Sequence, residues 1–346
     1  MRALVLSEYR RFELADLAAP EPARGEILIQ VAACGICGSD VHGYDGSSGR
    51  RVPPIVMGHE AAGTIAALGT GVTGFSLGDR VTFDSTVYCG ECAYCCRGEI
   101  NLCDRRQVLG VSCGDYRRAG AFAEFIVVPA QIVYRLPDNL VFAEAAMLEA
   151  VAVAIHAASL VSVPRGSSAL VVGAGTIGVL VQQALRAAGC ARVFATDVDE
   201  ARLQRSRELG ATAAIAAGED FNDELMGLTN GTGVDIAVEA VGNNAGVNTA
   251  VASVRKGGSV VLVGNISAEV SLPLQKVVTR QIRLQGSCAS AGEYPRAIEL
   301  LSTGAIAVKP LITAVAPLEE GPLWFERLYR REPNLMKVVL APGVKR

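Results

Sequence analysis

The stretch "SALVVGAGTIGVLVQQALRAAG", residues 168–189, decides the fold. It reads as a short apolar, β-branched run, a glycine turn, and a helical pattern closed by Gly189. The turn is Gly173-x-Gly175-x-x-Gly178, with Thr176 and Ile177 opening the helix. Such spacing lets the first glycine turn the chain, the second admit a pyrophosphate and the third pack helix against strand. The phosphates of a dinucleotide would then rest on the helix amino terminus. The uncharged run 167–185 is long enough to span a bilayer on length alone. Its three glycines and the pair Gln182-Gln183 argue for strand, turn and helix instead.

Working outward, "ARVFATD" supplies a second strand that ends in Asp197, 19 residues after Gly178. An acid at that place accepts the ribose hydroxyls of NAD and repels the extra phosphate of NADP. Arg202, five residues on, is read as flanking the adenosine ribose. Three more short apolar runs follow, "ATAAIAA", "VDIAVEAVG" and "GSVVLVGN", with helical segments between them. Alternation of this kind predicts a doubly wound parallel sheet with helices on both faces. Val241-Gly242 and Val263-Gly264 end two of those strands, where the cofactor would cross the carboxyl edge.

At 346 residues the chain exceeds one core, so two domains are expected. Half the residues are hydrophobic and 19% charged, which excludes wholesale disorder. A formal charge of -3 provides no field to gather nucleic acid or an anionic membrane. The amino terminus lacks the apolar core of a signal peptide, so a cytoplasmic, soluble protein with reduced thiols is expected.

Five of the ten cysteines fall within "CGECAYCCRGEINLC", residues 89–103. In a reduced compartment the spacing Cys89-x2-Cys92-x2-Cys95-x7-Cys103 suits a tetrahedral Zn²⁺ with four thiolates. Cys96 is the spare. A four-sulfur site is closed to substrate, so this zinc is structural.

A second set lies upstream, in "CGICGSDVHGY" and "VMGHEAAG". Two of the chain's three histidines, His42 and His59, stand there beside Cys37 and several acids. A catalytic zinc takes three protein ligands and leaves one position open. Cys37 and His59 are the first two; the third is an oxygen, from Glu60 or Glu149. Asp40 would hold the His59 imidazole from behind, and Ser39 and His42 would form a proton path to solvent. Glu149 is a lone carboxylate in an apolar segment, where an unpaired charge is costly and a metal or its water relieves the cost. Cys34 and His156 are read as packing residues.

Taken in order, "GHEAAG", "GDRV", the cysteine loop, "GAFAEFIVVP" and "VVGAGTIG" resemble the zinc-dependent medium-chain dehydrogenases over essentially the whole chain. The resemblance implies an α/β protein: a GroES-like, β-rich catalytic domain with an inserted Rossmann domain. The expected boundaries are 1–152 for the first part, 153–288 for the nucleotide domain and 289–346 for a segment returning to the first. It carries Cys37, His59, Glu60 and Glu149 onto the catalytic zinc, and implies two zinc ions per chain with NAD as cofactor. Position 149 resembles the polyol and sugar-alcohol branch, since ethanol-oxidising relatives carry a cysteine ligand there. One departure is Ala150, where that branch has proline after the glutamate.

These readings lead to an enzyme that moves a hydride from a secondary alcohol of a polyol, sugar alcohol or sugar acid to NAD⁺. Arg117-Arg118 either meets a phosphate or carboxylate at the far end of the substrate or lies in a solvated loop. An amino-alcohol dehydrogenase of the threonine type shares the zinc residues and is the alternative; a non-enzymatic zinc-loop protein is the remote one. The resemblance implies a homodimer or homotetramer, and no nucleic-acid or membrane partner is expected.

Overall fold

The computed structural model describes residues 1–113 and 116–343. It divides into two compact units: 1–149, 290–302 and the segment from Val308 onward form one, while 150–289 and 303–307 form the other. The divisions fall at 149/150 and 289/290, against the expected 152/153 and 288/289. The short piece 303–307 packs with the second unit and not with the returning segment around it.

In the first unit, strand Glu26–Gly35 is the hub of a seven-stranded sheet. Its sequence EILIQVAACG buries Ile27, Ile29 and Val31 on alternate positions, as a pleated strand with one face on a core requires. Strand Glu60–Leu68 pairs antiparallel along one side of it, and Lys337–Ala341 pairs antiparallel near its carboxyl end. Gly35 thus stands opposite Glu60 on one side and Val339 on the other. A smaller sheet of Arg11–Asp16, Arg2–Glu8 and Ile55–Val56 closes on the same core, where Leu4, Ile29, Phe83, Phe122 and Phe325 are fully or almost fully buried.

The second unit is a six-stranded parallel sheet in the order Ala213–Ala216, Arg192–Asp197, Ser168–Val172, Val234–Glu239, Val254–Leu262, Arg283–Gly286. The chain winds outward one way from Ser168–Val172 and then restarts on its other side. That reversal is the switch point where such sheets bind dinucleotides. Ser168–Val172 is buried at every position, as expected for a strand covered on both faces. Helix Thr176–Ala187 follows it directly, so 167–185 is strand, turn and helix. Among the described residues one helical stretch, 142–159, is apolar and long enough to cross a membrane on composition alone; 61% of it is buried in the fold.

Candidate active site

Strand register brings the first metal-capable cluster together. Cys37 follows strand Glu26–Gly35 and caps the short helix Gly38–Gly43, its Sγ accepting from the Ser39 amide at 3.4 Å. His59 and Glu60 enter from the neighbouring strand, 6% and 1% exposed. One donor atom from each of Cys37, His59 and Glu60 lies within 4.8 Å of the others. Gly35 leaves the space for this, since a Cβ there would collide with the Glu60 carboxylate.

Charged groups packed behind the cluster hold it in place. Asp40 is fully buried, with its Oδ1 accepting from Arg51 Nε at 3.2 Å and Nη2 at 3.0 Å. The same Oδ1 faces His59 Nδ1 at 3.4 Å, off the direction of a hydrogen bond, so Nδ1 is a buried atom without a hydrogen-bond partner. Burial alone would raise the Asp40 pKa, but His59 and Arg51 outweigh it and hold the carboxyl well below the usual range. For His59, burial works against a positive charge, yet Asp40 and Cys37 overcome it and push the imidazole well up. Negative groups therefore dominate the field at this buried histidine. With thiolate, imidazole and carboxylate converging, the donor set fits zinc.

Lys337 was not legible in the sequence as a site residue. It is 3% exposed, and its Nζ donates to both Glu60 oxygens at 2.9 and 2.6 Å and to the Ile36 carbonyl at 3.1 Å. Burial would lower its pKa, but the Glu60 carboxylate outweighs this and keeps it above the ordinary value. Glu60 is therefore anchored from the side by an ammonium group. A lysine heading the apolar strand "KVVLA" was the available signal.

Glu149 stands outside the tight donor set. It lies in the first turn of helix Leu148–Ser159, which begins just before it, and Ala150 in place of proline continues that helix. Its Oε1 accepts from Ser85 Oγ at 3.3 Å. Desolvation pushes its pKa up to about 7, with His59 pulling down and Glu60 and Asp84 pushing up, so it shares the field of the cluster. Asp84 is 1% exposed, accepts from the Thr86 amide at 2.8 Å and the Ser290 hydroxyl at 3.2 Å, and is pushed up to about 6 by burial.

The expected proton path is only partly assembled. Ser39 is exposed and its Oγ accepts from Arg51 Nη2 at 3.1 Å. Among the described residues no direct hydrogen bond joins the Ser39 and His42 side chains. Of the pair weighed for an anion, Arg117 is exposed and donates Nη2 to the Pro54 carbonyl at 2.8 Å, while Arg118 pairs with Glu26 at 3.0 Å. His156 is buried, 8% exposed, on its helix.

In the cysteine loop, Cys89, Cys92, Cys95 and Cys103 place their sulfurs within 4.8 Å of one another. Main-chain amides point at them: Cys103 Sγ accepts from the Cys89 and Arg105 amides, both at 3.3 Å, and Cys89 Sγ from the Cys92 amide at 3.4 Å. Amide donors lower the Cys89 pKa to about 6, while desolvation and its three sulfur neighbours push Cys95 up to about 12. Four sulfurs cannot all ionise so close together without a cation, and a tetrahedral Zn²⁺ fits the set. Cys96 is exposed and directs its thiol to the Glu91 carbonyl instead.

The second unit supplies a dinucleotide crevice. Helix Thr176–Ala187 starts at Gly175 with no side-chain cap, and a Cβ on Gly175 would meet nothing within 4 Å. A Cβ on Gly178, by contrast, would collide with the Gly173 carbonyl. The open space and uncapped helix start fit a pyrophosphate. Asp197 lies at the next strand end, 8% exposed, with Oδ2 accepting from the Ala174 amide at 2.7 Å and Oδ1 from the Asp199 amide at 3.0 Å. Arg202 Nη1 stands 3.8 Å from that carboxylate. Val241, Gly242, Val263 and Gly264 follow the next two strands in the sheet.

Known proteins agree with this arrangement. Residues 23–138 match the alcohol dehydrogenase GroES-like domain, and residues 176–303 match the family described as zinc-binding dehydrogenase. The chain is 37% identical to sorbitol dehydrogenase of Bacillus subtilis over 348 residues, covering 99% of this chain and 98% of that one. It is 34% identical to the probable D-xylulose reductase A of Aspergillus fumigatus over 312 residues, covering 88% and 86%. A crystal structure of an Escherichia coli oxidoreductase/dehydrogenase of unknown specificity superposes with a TM-score of 0.93 at 32% identity, covering 98% of each chain. The protein belongs to the zinc-binding, medium-chain alcohol dehydrogenase family, and it is an oxidoreductase that uses zinc and a nicotinamide dinucleotide.

Proposed function

We propose that the protein oxidises a secondary hydroxyl of a polyol or sugar alcohol with NAD⁺. The observation that carries this reading is the acid-rich metal cluster: Glu60 converges with Cys37 and His59, and Glu149 shares their field. An opening lined by carboxylates favours a substrate that presents several hydroxyls over a simple apolar alcohol. Relatives named for sorbitol and xylulose support the same class.

When bound, zinc supplies Lewis acidity toward the alcohol oxygen and the nicotinamide accepts the hydride. Cys37, His59 and Glu60 are the residues that would hold the ion, and Lys337 and Asp40 fix the orientation of two of them. Ser39 takes the proton of the substrate hydroxyl. Arg51 can only donate, so it holds Ser39 Oγ as an acceptor and leaves the hydroxyl hydrogen to turn elsewhere. His42 passes the proton on, through solvent where it does not touch Ser39. Glu149, with a pKa near 7, hydrogen-bonds a further substrate hydroxyl or the water it displaces. Gly173, Gly175, Thr176, Ile177 and Gly178 receive the pyrophosphate. Asp197 selects NAD by meeting the ribose hydroxyls, with Arg202 beside it.

The four-cysteine loop holds a second, structural zinc. A homo-oligomer in the cytoplasm completes the reading, supported by the outer strand Arg283–Gly286 and the exposed apolar side chains Ile266, Leu274 and Val278 near it in the chain. Purified protein is incubated with NAD⁺ or NADP⁺ and a panel of polyols, polyol phosphates, aldonates, threonine and simple primary alcohols. Turnover of polyols with NAD⁺ is the expected result; turnover confined to primary alcohols or to threonine overturns the substrate class.

A further inference from the structure

Glu239 ends the strand Val234–Glu239 fully buried, and main-chain amides are the partners of its carboxylate. Burial raises its pKa, against the pull of the Gly242 and Val241 amides. An isolated carboxylate in such a place is costly unless its oxygens are well used. Here they are. Oε1 accepts from the Val241 amide at 2.9 Å and the Gly242 amide at 2.8 Å, and Oε2 takes the Gly242 amide at 3.0 Å. The main-chain carbonyl of the same residue accepts from the Val263 and Gly264 amides at 2.8 and 3.1 Å. One residue therefore ties together the two loops that leave adjacent strands at the carboxyl edge of the sheet.

Those loops pack with no slack. A Cβ on Gly242 would collide with the backbone of Gly264 and Asn265, and one on Gly264 would collide with Gly242 and Val241. Gly242 has a φ of 85°, a conformation that suits glycine, and its carbonyl accepts from the Ser267 amide at 2.9 Å. On the other side, a Cβ on Gly173 would strike the Val241 side chain. The Ala240 amide donates to the Val172 carbonyl at 2.9 Å, next to the first glycine of the turn. Glu239 thus stands where three segments assigned to the dinucleotide meet: Gly173, Val241-Gly242 and Val263-Gly264.

We propose that the Glu239 carboxylate is a positioning group for the dinucleotide, acting by fixing the Val241 and Gly242 amides of the loop that packs on Val263-Gly264. The inference rests on the reading of these segments as the cofactor crevice. A trans peptide holds its N–H and the preceding C=O on opposite sides. With the Val241 and Gly242 amides aimed at the carboxylate, the Ala240 and Val241 carbonyls are turned away from it. Without the carboxylate those two amides lose their acceptor and this turn is held less firmly, so more of its ordering falls to dinucleotide binding.

The test is equilibrium titration of the zinc-loaded protein with NADH, read by NADH fluorescence, for the parent, Glu239→Gln, Glu239→Ala and Asp197→Ala. Glutamine keeps an acceptor for the Oε1 bonds but sets a donor against the Gly242 amide. Glu239→Gln is expected to weaken NADH by about threefold and Glu239→Ala by about tenfold or more, in line with one to two lost hydrogen bonds. The KM for NAD⁺ rises with the dissociation constant, while zinc content and the alcohol KM at saturating NAD⁺ stay at parental values. A merely structural role would lower zinc content and raise the alcohol KM along with the loss of affinity. NADH affinity within about twofold of the parent in a folded Glu239→Gln, with Asp197→Ala weakened, overturns the inference and leaves the crevice reading standing. No weakening in Asp197→Ala overturns the crevice reading itself. Should Glu239→Ala fail to fold, Glu239→Gln decides alone.

Discussion

The two metal-capable clusters are built on opposite plans. The cysteine loop draws all four sulfurs from fifteen consecutive residues, 89–103, and Cys89, Cys92 and Cys95 retain partial exposure. The other draws Cys37, His59 and Glu60 from the ends of two adjacent strands, buries the last two, and fixes them with Asp40, Arg51 and Lys337. In the loop, main-chain amides from the same segment satisfy the sulfurs. In the strand-built site side-chain charges do most of this, Asp40 and Arg51 from nearby and Lys337 from far along the chain. The lesson is that a site which only has to hold a metal can be local. A site that must also leave the ion open to substrate needs donors whose directions the wider fold controls.

The comparison breaks most visibly at Cys37. Cys37→Ser is expected to remove one zinc per chain and slow alcohol oxidation roughly a thousandfold or more, on the order of 4 kcal/mol of barrier. Its unfolding midpoint should stay near the parent's. Metal analysis beside initial rates checks this, and parental rates in a folded variant would refute the assignment of the reacting metal. Cys103→Ser should do the reverse. It too loses one zinc, but the main loss is stability, because binding energy in a closed site is folding energy. A decrease on the order of 3–5 kcal/mol in urea unfolding is expected, with residual activity in the fraction that stays folded. If the two variants behave alike, the division of labour between the clusters is wrong.

Lys337→Met sharpens the contrast, since it touches only the strand-built site. Leaving Glu60 buried without its ammonium partner should cost about 3–5 kcal/mol. The double variant Lys337→Met with Glu60→Gln should recover most of that, and chemical denaturation of the parent and both variants measures it. A double variant no more stable than Lys337→Met would mean the pair is not what balances Glu60.

The smallest expected effect is at Asp84, whose pKa is pushed up from 3.8 to about 6. Between about pH 4 and 6 the folded state holds a proton that the unfolded state has released, so stability falls as pH rises through that window and is level above it. Asp84→Asn keeps an oxygen to accept from the Thr86 amide and reverses the other bond, its NH2 donating to the Ser290 hydroxyl, without the charge. It should flatten that slope and add about 1–3 kcal/mol at pH 7, read from unfolding at pH 4, 5, 6 and 7. An unchanged slope would show that Asp84 is ionised in the folded protein throughout.

Much of the molecule could be read before folding it. The apolar run, glycine turn and helix at 168–189 carried the parallel sheet, because period and turn chemistry are local properties. The cysteine loop was legible for the same reason. Less legible were the polar partners. Glu60 and Glu149 were equal candidates on residue type, and only the geometry separates the one that converges with Cys37 and His59 from the one that bonds Ser85. The partners of Arg117-Arg118 were not legible either, because a charge in a loop does not announce its partner; Arg118 meets Glu26 and Arg117 the Pro54 carbonyl.

By itself the sequence determined which chemistry was present: sulfurs at metal spacing, a cysteine and histidine flanked by acids, and glycines where a pyrophosphate must approach. Tertiary structure decided which of those groups act together. Lys337 meets Glu60 across 277 positions of chain, and Arg51 meets the buried Asp40 from another segment. The reason is that a buried charge must find a counter-charge within a few ångströms. Strand register, set by burial of whole apolar faces, determines which one is there.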